Sequence, residues 1–219
     1  MNKNFDAIFT KDKNINFFPF IGDYYMDNCP RIMVLGESHY LNKEEEGNKK
    51  VLRKWNIYHD LTRESFKEEY KPYSYTISML TNLVIENNLA YEKFVFYNYF
   101  QKIVGYGSSD KSLLYANYSK FSTQAQRAYF RLIEILEPEL IIVWGTSVMS
   151  YKFVPQFSNK LKGKYANEEE TIYRYDKYPN TNIWHMDHPS NQMFNLVDTT
   201  NKFKTVCKQL NYKYPIIKL

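Results

Sequence analysis

Cysteine is nearly missing from this chain. Cys29 and Cys207 are the only two among 219 residues, too few for a disulfide framework and, by themselves, for an iron–sulfur cluster. A reducing cytoplasm is the simplest setting for such a sequence. Long apolar runs are missing too: no stretch is long enough to cross a bilayer, and the opening MNKNFDAIFTKDKN lacks the uninterrupted apolar stretch of a signal peptide. The expectation is a soluble, cytoplasmic protein with no membrane partner. Glycine is scarce, seven residues in all, and neither repeats nor low-complexity linkers divide the chain. Residues 1–219 are therefore expected to form one domain, since about 200 residues suffice for a full hydrophobic core.

Aromatic residues are abundant. With 21 Tyr and 15 Phe, the aromatic share reaches 18%, so some rings must face outward, where they offer flat stacking area of the kind nucleobases use. Codon bias explains a Tyr-rich, Gly-poor composition equally well. Lys and Arg exceed Asp and Glu by 29 to 24, a formal charge of +5 that agrees with a polyanionic partner without requiring one.

The chain reads as strands alternating with helices. Residues 1–30, with Phe17, Phe18, Pro19, Phe20 and Ile21, form an arm expected to pack its aromatics on the domain. Arg31 to Tyr40, RIMVLGESHY, is the opening strand: Ile32 to Leu35 are apolar at every position, as in a strand covered on both faces. Gly36 then permits a sharp turn that presents Glu37, Ser38, His39 and Tyr40 at the strand's carboxyl end. The charged stretch LNKEEEGNKKVLRKWNIYHD reads as a long exposed loop or short helix. A solvated insertion is the favoured reading, with contact to a phosphate backbone through Lys49, Lys50, Arg53 and Lys54 beside Trp55 as the alternative.

A helix from Tyr73, capped by Ser74, is expected to bury Ile77, Leu80, Leu83 and Val84. Lys93 to Tyr99 reads as the second strand, ending at Asn98, and VGYGSSDKS as a turn. Ser122 is placed as the cap of a helix that buries Ala125, Ala128, Tyr129, Leu132, Ile135 and Leu136 and ends before Pro138. Leu140 to Trp144 is the third strand, turned by Gly145 into a helix near Thr146. After a polar, hairpin-like stretch from Lys162 to Asn180, Asn182 to Met186 is the fourth, and a helix from Asp198 to Leu210 closes the chain. This alternation predicts an α/β fold, a three-layer α/β/α sandwich around a central four-stranded parallel sheet. The carboxyl ends of its strands, with Gly36 to Tyr40, Asn98, Gly145 and His185 to Ser190, should converge on one edge, where open α/β sheets bind ligands.

Four stretches in order carry a resemblance. GESHY follows the first strand, FVFYNY holds the second with its Asn, LIIVWG is the third, and HPS stands within HMDHPSNQMF. The chain resembles the uracil-DNA glycosylase superfamily, whose members carry GQDPY or GEAPG, a strand-terminal Asn, an LWG strand and HPSPLS at those places. The likeness covers roughly residues 31–195. It implies a glycosylase-like domain that binds DNA as a monomer, needs no cofactor or metal, and hydrolyses the N-glycosidic bond of a deaminated or modified base such as uracil.

Such a reaction leaves an anionic base and a cation-like sugar, so donors must face the base and a water must be positioned opposite. By resemblance, His188 donates to the departing base, with Pro189 fixing the turn and Ser190 available to a phosphate. Asn98 reads the base, since an amide both donates and accepts, over a pocket with Gly36 and Tyr40, the latter in the place of the ring that excludes a 5-methyl group. A wedge replacing the flipped base falls on Gln192, Met193 and Phe194, with Gln192 where relatives have leucine. The sequence departs from the family two residues after Gly36, where Ser38 stands in place of the Asp or Asn that orients water. Glu37 and His39 are the neighbouring candidates for that work.

Other readings stay open. A glycosylase fold that only binds nucleic acid or nucleotide is encouraged by Ser38. The order Ser38, Asp187, His188 resembles GDS-type esterases, although adjacent Asp and His side chains point apart. His185, Asp187 and His188 are suggestive of a metal site but lack a fourth ligand.

Overall fold

The computed structural model describes residues 1–39, 43–45, 48–68, 70–82, 88–103, 111–145 and 170–217. Within them the chain is a mixed α/β structure built on one six-stranded, mostly parallel sheet. The strands are β1 (Phe20–Ile21), β2 (Ile32–Gly36), β3 (Phe94–Asn98), β4 (Leu140–Trp144), β5 (Ile172–Tyr175) and β6 (Tyr178–Met186). Their order is β1-β3-β2-β4-β6-β5, with β3, β2, β4 and β6 mutually parallel and the two outer strands antiparallel to their neighbours.

The parallel strands are the four that the apolar runs foretell, and the flanking pair is an addition to that expectation. β1 comes from the aromatic arm, which pairs Phe20 with Phe96 and Ile21 with Val95. Burying those rings beside β3 also satisfies the backbone groups of an otherwise open sheet edge. β5 lies in the stretch read as hairpin-like, and it does form an antiparallel pair with β6.

Strand residues alternate between two apolar layers, as the pleat requires. Met33, Leu35, Val95, Tyr97, Ile141 and Val143 pack with Ala125, Ala128, Leu132 and Leu136 of α6 (Lys111–Leu136). On the other face, Val34, Phe96, Ile142 and Trp184 meet Ile77 and Leu80 of α4 (Tyr70–Thr81) and Phe203 and Val206 of α7 (Leu196–Gln209). Covered on both sides, β2, β3 and β4 are buried at every residue.

The helices depart from expectation at their ends. Ser74 lies inside α4, which is described from Tyr70. Ser122 likewise lies inside α6, which starts at Lys111, so a good capping residue is overridden by a helical pattern already under way. The closing helix is capped by Asn195, whose side chain accepts from the amides of Val197 and Asp198. The charged stretch after β2 contains a 3-10 turn (Lys43–Glu45) and α2 (Lys49–Asn56), and is followed by an unanticipated α3 (Leu61–Glu68). Two short helices complete the set among the described residues, α1 (Asp6–Lys11) in the arm and α5 (Asn88–Tyr91) before β3. Arg63 of α3 ties the arm down: its side chain is 2% exposed, and its guanidinium donates to the carbonyl of Pro19 and pairs with Asp6 and Asp60. Expected features at Tyr40, Leu83, Val84, 104–110, the helix near Thr146 and 162–169 lie outside the described residues.

Replacing Ile142 by Ala removes a fully buried side chain from a central strand and is expected to cost about 2–5 kcal/mol in urea unfolding. Met193→Ala, at a site 83% exposed, should change stability by less than about 0.5 kcal/mol.

Candidate active site

The register brings the parallel strands to a common carboxyl edge. Gly36 pairs with Asn98, Leu35 with Val143, and Trp144 with Met186. Backbone pairing continues one step further, the amides of Tyr99 and Phe100 donating to the carbonyls of Gly36 and Glu37. Counting parallel strands in chain order, the first strand lies between the second and the third. The strand order thus reverses at β2, the kind of switch point where α/β sheets open a crevice.

Gly36 has a steric reason to be glycine. A Cβ at this position would collide with Oδ1 of Asn98 and press against the ring tip of Phe96. The Asn98 amide therefore lies across the end of β2, and it is buried. Its Nδ2 reaches the imidazole of His39, 3.4 Å from Nδ1 and 3.2 Å from Nε2. Nε2 also lies 2.9 Å from the hydroxyl oxygen of Thr62. The Asn98 amide, nearly equidistant from the two ring nitrogens, lies against the imidazole, while Nε2 is engaged by the Thr62 hydroxyl. The His39 ring meets the edge of Phe17 at 5.2 Å, and its burial holds the pKa down to about 3. His39 is thus neutral, with both nitrogens engaged within the protein.

Gln101 is a contributor that the sequence reading missed. Its Nε2 donates to the carbonyl of Asn98 and the hydroxyl of Tyr97, while Oε1 accepts from the amides of Asn16 and Phe17. It clamps the aromatic arm to the end of β3. A polar residue three places after a strand-terminal Asn offers no sequence signal for such a task.

His188 sits beyond the end of β6 and packs over β4. Its ring meets Trp144 edge-on at 5.7 Å, and its Cβ lies 3.6 Å from where a side chain on Gly145 would begin. Gly145 takes a φ of 86°, a conformation that favours glycine. Nδ1 of His188 accepts from the Ser190 amide at 3.1 Å and from its hydroxyl at 2.6 Å. An acceptor at Nδ1 leaves the ring proton on Nε2. Burial lowers the pKa of His188 as well, so the ring is a neutral donor through Nε2.

The Asn98 and His188 groups share one face of the sheet. Asn98 has the strand parity of Phe96, Phe96 packs on Trp144 at 5.5 Å, and Trp144 carries His188. Asn98 and Trp144 stand two strands apart with β2 between them, about 10 Å at roughly 4.8 Å per strand. Gly36 contributes no side chain to the space between.

The remaining candidates take varied places. Glu37 and Ser38 are half-buried just past β2, and the Ser38 hydroxyl donates to the His39 carbonyl at 3.0 Å. Ser190 spends its hydroxyl proton on His188. Gln192 and Met193 are exposed, whereas Phe194 turns inward against Tyr75 at 5.4 Å. Tyr40 lies outside the described residues. A bond from Ser38 to an imidazole, which the esterase arrangement requires, is absent among the described residues. No three His, Cys, Asp or Glu side chains among them are grouped to hold a metal ion, and no helix among them is long and apolar enough to cross a membrane. A separate cavity of about 310 Å³ lies near α7, lined by Glu170, His185, Asp187, Thr199 and Lys202 among others, and does not touch Asn98 or His188.

Compared with known proteins, the chain matches no family model and none of the curated proteins.

The burial of His39 has a measurable consequence. When unfolded, its imidazole regains an ordinary pKa near 6.5 and takes up a proton that the folded chain refuses. Its contribution to stability is complete above that value and is lost as pH falls from about 6.5 towards 3. Denaturant unfolding between pH 8 and 4.5 should show wild-type stability falling with pH, and His39→Gln should remove part of that slope. At about 1.4 kcal/mol per pKa unit, the difference should amount to a few kcal/mol. Parallel slopes for the two proteins would mean that the ring titrates normally in the folded state.

Proposed function

We propose that this chain is a divergent glycosylase of the uracil-DNA glycosylase superfamily, a three-layer α/β/α sandwich acting on DNA. The reaction is hydrolysis of the N-glycosidic bond to a deaminated or modified base. What supports this reading is that two preset polar groups stand at one edge of the sheet on either side of Gly36: the Asn98 amide and the Nε2–H of a neutral His188. A base extruded from the stack and seated between them meets an acceptor, Oδ1 of Asn98, and a donor, His188.

Each group suits its task. As the bond breaks, negative charge grows on the base, and a fixed N–H aimed at its carbonyl oxygen stabilises that charge more than it stabilises the intact nucleoside. Because Ser190 holds Nδ1, the imidazole needs no reorientation to donate. His39 is a positioning residue: it keeps the Asn98 amide from rotating. That leaves Glu37 as the carboxylate nearest the family's water-orienting position, with the Ser38 oxygen able to accept from the same water. The exposed Met193 is the apolar tip suited to the gap left by an extruded base, with Gln192 beside it and Phe194 bracing the turn.

A second reading, DNA binding without turnover, is favoured by one specific observation. The motif acid is replaced by Ser38, and both His39 nitrogens are engaged, so neither supplies a ready base.

Oligonucleotides carrying single uracil, hypoxanthine or other modified bases separate the two. The enzyme reading expects alkali-labile abasic sites with at least one base. His188→Ala should then reduce turnover roughly 100- to 1000-fold while DNA affinity changes less than about threefold. Equal losses in turnover and affinity would remove the transition-state role of His188. Salt-sensitive binding with no abasic product from any base would leave the binding-only reading.

A further inference from the structure

The charged stretch after β2 forms, in α2, a helix with two faces. At 100° per residue, Lys49, Lys50, Arg53 and Lys54 fall on one side and Val51, Leu52 and Trp55 on the other. The apolar side packs against Phe17, Leu61 and Ile103. The basic side is exposed at all four residues, and none of the four joins an ion pair among the described residues. Lys54 lies over the Trp55 ring at 5.0 Å, and the Trp55 indole donates to Glu45, which stiffens the base of this surface.

The helix is anchored beside the candidate site. Phe17, on which it packs, meets the edge of His39, and His39 holds Asn98. The side chain of Asn56, the last residue of α2, accepts from the Ile103 amide just beyond β3. The packed helix sets the spacing of the four positions, with Lys49 and Arg53, and Lys50 and Lys54, each about 6 Å apart along the axis. That repeat is comparable with the spacing of neighbouring phosphates on one strand.

We propose that the basic face of α2 binds the phosphate backbone of DNA and leads a strand to the sheet edge that carries Asn98 and His188. The proposal rests on the DNA-directed reading above and adds a docking surface to it. Neutralising phosphates releases condensed counterions, so each lost contact flattens the salt dependence of binding.

The test is fluorescence anisotropy with a labelled 21-mer, single-stranded and duplex, between 50 and 200 mM salt. Against wild type, the variant K49Q/K50Q/R53Q/K54Q should bind at least tenfold more weakly at 50 mM. Its slope of log affinity against log salt should shrink by about 3, the value for four contacts on a single strand. Arg53→Gln alone should shrink it by about 1, which keeps the test valid should the fourfold variant prove unstable. Removing three exposed lysines elsewhere, K204Q/K208Q/K213Q, should cost less than threefold. Wild-type affinity and slope in the α2 variants, or an equal loss in the α7-side control, would overturn the α2 assignment and leave the glycosylase reading standing. A wild-type protein that binds no DNA at all would overturn both.

Discussion

The absence of a side chain at residue 36 is the constraint on which the site depends. Only with no Cβ at the end of β2 can the Asn98 amide cross from β3, lie over the neighbouring strand and reach His39. From that one packing fact the rest follows in sequence. His39 is drawn under Thr62 and Phe17, Phe17 is held by Gln101, and Gln101 also grips the Asn98 backbone. A strand-terminal Asn becomes a buried, oriented amide because its neighbours on three elements leave it one arrangement.

The electrostatic character of this edge is set by burial rather than by charge. His39 and His188 are both pushed toward the neutral form by desolvation, and each has a nitrogen occupied by a fixed partner. A neutral imidazole with a defined tautomer is a hydrogen-bond donor whose orientation is settled before any ligand arrives. Preset donors of this kind matter for reactions in which charge appears late, because no reorganisation is needed as it forms. The four exposed cations of α2 stand outside this buried edge, on a helix whose apolar side packs on Phe17.

Much of the framework was legible in the sequence. Runs such as IMVL and LIIVW are apolar at every position because both faces of a parallel strand are covered, so the four central strands declare themselves. The convergence of Gly36, Asn98, Gly145 and His188 follows from that parallel order. The outer strands were less legible: β1 has two residues, and in sequence its Phe20 and Ile21 read as part of the arm. Ser74 and Ser122 misled because a capping residue marks a helix start only where the helical pattern has not already begun. The parallel order of the strands foretold that Asn98 and His188 lie at one edge of the sheet, but not which residues hold them. That His39 turns inward to Asn98, or that Ser190 fixes the tautomer of His188, depends on contacts between loops that no spacing rule encodes.

That Asn98 and His188 grip a single base is tested most directly by nitrogen-15 NMR of their side chains during titration with free uracil and with abasic DNA product. The Asn98 amide and the Nε2–H of His188 should shift together, with one saturation curve, while the His39 ring keeps its neutral tautomer. Shifts at only one of the two residues, or midpoints that differ between them, would contradict a shared site.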